Sequence, residues 1–167
     1  MRKILFWGNP ESYPIIGMDK YCAVVNVSDS PCLSLSDLPI KSFWFPVHET
    51  GKWGYSPFYG AAKVYDTLCT EQKSLIIHCH AGACRSPIIA YTILRAEGYT
   101  DAQIESINPA YKGYSEDLGI NIARGCIPAD IITFLQARHK NPTYSIMGLL
   151  MEIDSPNKIL PNFKLRR

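Results

Sequence analysis

The chain contains no apolar run long enough to cross a membrane. Its apolar opening, Ile4-Leu5-Phe6-Trp7, stops at Gly8-Asn9-Pro10. A membrane span needs about 20 apolar residues and the core of a signal peptide about 7–15, so neither is expected. Charge is scarce as well. Asp, Glu, Lys and Arg make up 19% of the residues, and the net charge is +2. That balance gives no strong field for nucleic acid or a lipid surface. The sequence has no internal repeat and no low-complexity tract. Its six cysteines, Cys22, Cys32, Cys69, Cys79, Cys84 and Cys126, lack the spacing of a small disulfide scaffold, and several lie in apolar contexts that suit packing as small hydrophobes. His78, Cys79, His80 and Cys84 crowd together, but no second ligand pair follows at a zinc-like spacing. No metal and no cofactor is therefore expected.

What remains is a chain of 167 residues with 47% hydrophobic content, suited to one domain with a sizeable core. One stretch organises it, from Ile76 to Pro87. Leu75, Ile76 and Ile77 read as the end of a buried strand, and Gly82 permits a tight loop. Pro87 suits the first turn of a helix, which Ile88, Ile89, Tyr91, Thr92, Leu94 and Arg95 continue to a stop at Gly98. A loop from a strand into a helix N-terminus turns several backbone N–H groups toward one point, an anion site best suited to phosphate. Cys79 begins the loop and Arg85 ends it. The helix terminus and the guanidinium both favour thiolate over thiol, so Cys79 is expected to be acidic and nucleophilic. Arg85 can grip two phosphate oxygens through its planar fork, and Ser86 can donate a hydrogen bond to the sulfur. The plainer alternative is a buried structural cysteine beside a surface arginine.

His78-Cys79, Gly82, Arg85 and Ser86 match His-Cys-x-x-Gly-x-x-Arg-Ser. This stretch resembles the signature loop of the cysteine-dependent protein tyrosine phosphatases, in particular their dual-specificity branch. The resemblance implies an α/β fold with a central, mostly parallel sheet flanked by helices. It also implies hydrolysis of phosphotyrosine, with phosphoserine or phosphothreonine as further substrates, through a cysteinyl-phosphate. Cys79 would attack, while the loop of His80, Ala81, Gly82, Ala83 and Cys84, together with Arg85, would hold the phosphoryl group. Such a thiol needs a reducing compartment, so a cytoplasmic, monomeric enzyme acting on phosphorylated proteins is expected. The family places an acid after a strand ending in a Pro-Val-like pair. Here Pro46-Val47-His48-Glu49 fits, with Glu49 thirty residues before Cys79. Glu49 stands where the family has Asp, His48 is a rival donor, and a merely solvated carboxylate is the third reading.

The family likeness covers residues 1–140; 141–167 form an extension with an apolar Ile146–Met151 and a basic end. Strands are expected at Ile4–Trp7, Ala23–Val27 and Phe43–Val47, with Leu33–Leu38 irregular. Ser56 as cap and Pro57 as first residue open a helix whose core stripe is Phe58, Ala61, Ala62, Tyr65, Leu68 and Cys69. Thr100 to Gln103 is a capping box for a helix through Ile107, Tyr111–Gly119 reads as a polar loop that can border the site, and Pro128 opens a last helix. Lys52, Trp53 and Tyr55 either line the pocket mouth or close their loop onto the core. The loop carries no Lys, which the phosphoinositide phosphatases of the superfamily often have there. The net charge offers an RNA 5′-phosphatase little help. A phosphate-binding module without turnover is the reading from a different class.

Overall fold

Four strands form, and all run parallel: β1 (Ile4–Trp7), β2 (Tyr21–Asn26), β3 (Lys41–Trp44) and β4 (Ser74–His78), in the order β1-β4-β2-β3. The computed structural model describes residues 1–8, 18–32 and 39–140. Most of the Gly8–Pro14 turn, the Leu33–Leu38 segment and the extension from 141 onward lie outside the described residues. Five helices form: α1 (Ser56–Leu68), α2 (Arg85–Ala96), α3 (Asp101–Ile107), α4 (Tyr114–Ala123) and α5 (Ile131–Gln136), of which α4 was not expected. The α/β fold with a parallel sheet and flanking helices is the one read from the sequence.

The alternation of the strands explains the two sides of the sheet. Ala23, Val25, Leu75 and Ile77 point into one large core that also takes Phe58 and Tyr65 of α1 and Ile89 and Ile93 of α2. Ile104, Leu118, Ile131 and Leu135 bring the other three helices into that core. Val24 and Ile76 point the opposite way, against Met18, with Trp7, Tyr21, Cys32 and Ile40 around them. Gly60 lets α1 come down onto Phe45, because a Cβ there would stand 2.6 Å from the Phe45 ring.

Several boundaries differ from the sequence reading. The third strand ends at Trp44, and Phe45 and Val47 are buried in the chain that leaves it. Ser56 is the first residue of α1, with Tyr55 before it and no side-chain cap, so Pro57 sits one place further in. Pro57 is tolerated there because the first-turn N–H groups have no helical acceptor. Tyr111–Gly119 is not a loop. Pro109–Tyr111 forms one 3-10 turn and Tyr114 opens α4, because Leu118 and Tyr111 bury where a solvated loop would not. The last helix begins at Ile131, three residues after Pro128. The capping box at Thr100 is present with both of its hydrogen bonds. Gly98 N–H donates to Arg95 O and Tyr99 N–H to Leu94 O, a Schellman motif that ends α2 at the expected place.

Parallel pairing has one consequence for chemistry. Trp7 and Asn26 both pair with His78, and Asn26 pairs with Trp44, so the four strands end level with one another. The segments that leave these ends, at Gly8, Val27, Phe45 and Cys79, therefore meet along one edge of the sheet.

Candidate active site

At that edge the loop between β4 and α2 folds back over β1. Gly82 has a φ of +68°, and a Cβ on it would stand 2.6 Å from Gly8 N and 2.8 Å from Trp7 C. Both its backbone angle and the space exclude a side chain. Cys79 N–H donates to Trp7 O at 3.3 Å, which fixes the start of the loop. Cys79 is buried. Its Sγ accepts Gly82 N–H at 3.3 Å and lies 3.2 Å from Ser86 Oγ. The remaining loop amides, those of His80, Ala81, Ala83, Cys84 and Arg85, donate to no other group among the described residues. A loop that gives one amide to a buried sulfur and runs into a helix N-terminus can cradle an oxyanion.

Ser86 is fully buried, and its Oγ stands 3.3 Å from Trp7 O as well as near the sulfur. A hydroxyl carries one proton. With Cys79 as thiol, Ser86 O–H donates to Trp7 O; with Cys79 as thiolate, it can turn to the sulfur. His78 gives no positive charge to this chemistry. Burial pushes its imidazole down to about 4, against a smaller opposite pull from the Cys79 carbonyl 3.4 Å away.

Arg85, 4% exposed, is the cation of the site. Its Nη1 donates to Val47 O at 2.9 Å and lies 3.7 Å from Asp29 Oδ1. The bond to Val47 ties the Pro46–Glu49 segment to the loop, two residues before Glu49. Glu49 and His48 are both exposed there. The Glu49 charge reaches Cys84, where burial first, and then Glu49 and Cys79, push the thiol up. The structure thus brings together Cys79, His80, Ala81, Gly82, Ala83, Cys84, Arg85 and Ser86, with Glu49 at their border.

Trp53 and Tyr55 do not line the mouth. Trp53 stacks on Phe58 in the core, and Tyr55 packs on Phe134 and donates to Asp130. Lys52 is exposed. Two side chains that the sequence reading did not single out neighbour the loop, one of them in the Tyr111–Gly119 segment expected to border the site. Tyr114, at the start of α4, donates to Ala83 O at 3.0 Å and packs on Phe6. Asp29 stands 3.2 Å from His80 Nε2 through the same Oδ1 that faces Arg85. Asp29 follows β2, and the parallel pairing of β2 with β4 brings it to the same edge as the loop.

Among the described residues one group of side chains has metal-like spacing, Asp66, Glu97 and His139, whose donor atoms lie within 4.8 Å of one another. It lies at the far end of α2 from the loop, and the Arg138 guanidinium already occupies Asp66 and Glu97. No helix among the described residues is long and apolar enough to cross a membrane.

The chain matches no protein-family model and no curated protein. Among solved structures it is similar to the crystal structure of Tk-PTP in its active form, at 15% identity and a TM-score of 0.45, over 80% of this chain and 88% of that one.

Proposed function

We propose that this protein is a cysteine-dependent phosphatase of phosphorylated proteins, with phosphotyrosine as its first substrate. One observation carries the reading: a buried thiol that accepts Gly82 N–H and lies beside Ser86, in a strand–loop–helix turn that Arg85 closes. In the first step Cys79 Sγ attacks phosphorus and the ester oxygen leaves with the bonding pair. The amides and Arg85 hold the equatorial oxygens, where charge gathers in the transition state. Glu49 gives the leaving oxygen its proton. In the second step water cleaves the S–P bond, Glu49 takes the proton from that water, and Ser86 stabilises the departing thiolate. The Val47–Arg85 bond supports the assignment of Glu49, since it links the segment carrying the carboxylate to the residue that grips the phosphate. The same dual-specificity-like loop, without Lys, favours a single phosphoryl group on a protein over a phosphoinositide or an RNA end.

The test is hydrolysis of an aryl phosphate, without metal and with reductant, by the parent and by Cys79→Ser. Activity in the parent and at least a thousandfold loss in the variant is expected. Equal rates in both would remove the mechanism. Phosphate binding without turnover in the parent would leave a binding module instead. Glu49→Gln is expected to slow a poor leaving group by about 100-fold and an activated aryl ester far less, because only the former needs the proton.

A further inference from the structure

The loop carries two side chains that can be cationic, His80 and Arg85, and both face the same carboxylate. Asp29 Oδ1 is 3.2 Å from His80 Nε2 and 3.7 Å from Arg85 Nη1. The carboxylate is held there firmly. Asn26, buried at the end of β2, accepts Ser28 N–H at 2.8 Å and donates to Ser30 O at 2.9 Å. Trp44 Nε1–H donates to Ser28 O at 3.0 Å from the neighbouring strand. The turn that bears Asp29 is thus pinned on both sides of it. The Asp29 side chain nevertheless remains 45% exposed, and that of His80 62%. Its own backbone N–H first, then His80 and Arg85, hold its carboxyl below the usual range, so it is a full negative charge at working pH. On the other side of the cradle, Glu49 and Asp117 place negative charge around Cys84. A phosphoryl group seated on the loop and on Arg85 therefore has the carboxylates of Asp29, Glu49 and Asp117 near it.

We propose that Asp29 is a selectivity residue. By pairing with His80 beside Arg85, it admits one phosphoryl group and repels ligands with a second anionic group next to the first. This rests on the phosphate-cradle part of the reading above and not on turnover. It assigns the site to isolated phosphomonoesters and against diphosphates, triphosphate ends and polyphosphorylated rings. Removing one charge near a screened, half-exposed site is worth on the order of tenfold in affinity.

The experiment measures binding of methylphosphonate and of methylenediphosphonate, neither of which is hydrolysed, to the full chain by titration calorimetry. Parent, Asp29→Asn and His80→Gln are compared at fixed ionic strength. Asp29→Asn is expected to improve diphosphonate affinity about tenfold more than monophosphonate affinity, and added salt to shrink that difference. His80→Gln removes one of the two groups that offset the Asp29 charge and is expected to increase the discrimination. A merely structural Asp29 would move both ligands alike, and an unchanged ratio in Asp29→Asn would overturn the proposal. So would relaxed discrimination in His80→Gln. If the parent fails to hydrolyse aryl phosphates, the catalytic reading falls while the ratio still decides the role of Asp29. If the parent binds neither phosphonate, both fall together.

Discussion

Ser86 shows how one hydroxyl can serve two states of the same thiol. It sits between Cys79 Sγ and Trp7 O, 3.2 and 3.3 Å away, with a single proton to give. On the proposed mechanism, Ser86→Ala removes a donor to the departing thiolate while leaving Arg85 in place. A hydrogen bond to a charged group is worth about 1.5–3 kcal/mol, so kcat should fall about 10–100-fold with little change in phosphate affinity. Phosphoenzyme should accumulate in rapid-quench measurements, since breakdown depends on that donor more than formation does. The neighbouring His78 yields a stability prediction. Its folded pKa of about 4 lies below the ordinary 6.5, so the unfolded chain binds more protons between those values. Its contribution is complete above about pH 6.5 and is lost as pH falls toward 4, with a slope of up to about 1.4 kcal/mol per pH unit. Urea midpoints across that window should decline in the parent, and the decline should be shallower in His78→Gln.

At the scale of the element, the strand–loop–helix unit depends on Gly82, whose position admits no Cβ because the Trp7–Gly8 backbone fills the space. Gly82→Ala should displace the loop from β1 and weaken phosphate binding by at least tenfold, while α2, closed by its Schellman motif, keeps its helicity by circular dichroism. This unit was legible in the sequence because its signals are local: an apolar run, a glycine, a proline in the first helical turn. The capping box at Thr100 and the core stripe of α1 were legible for the same reason. What lay hidden was set by contacts distant in the chain. Tyr111–Gly119 reads as polar and glycine-rich, yet α4 forms there because Tyr111 donates to Ile4 O and packs, with Tyr114, on Phe6 of β1. Trp53 and Tyr55 carry groups fit for a pocket mouth, but Phe58 and Phe134 take them. Asp29 reaches the site only through the parallel pairing of β2 with β4, which no local pattern contains.

At the scale of the whole molecule, a cluster of charges ties the elements together at the end opposite the loop. Arg138 is fully buried. Its Nε and Nη2 meet the two oxygens of Asp66 at 2.8 and 2.9 Å, Nη2 also bonds Glu97, and Nη1 donates to Leu135 O. Arg2 reaches Glu97 from β1's side and lies over the Tyr65 ring. Burial opposes the charge on Arg138, but the bonds from Asp66 and the charge of Glu97 outweigh it and raise its pKa. One guanidinium thus joins α1, the end of α2 and the turn after α5. Arg138→Met would take the guanidinium from Asp66 and leave Glu97 with Arg2, and breaking such a buried set costs about 3–5 kcal/mol. Asp66→Asn added to Arg138→Met should recover more of the lost urea midpoint than independent effects would allow. Because Arg138 stands at the C-terminal end of α2 and Cys79 at its N-terminal end, kcat/KM of the folded variant should stay within about twofold of the parent. A larger loss would mean that this clasp holds the phosphate loop in place through α2 itself.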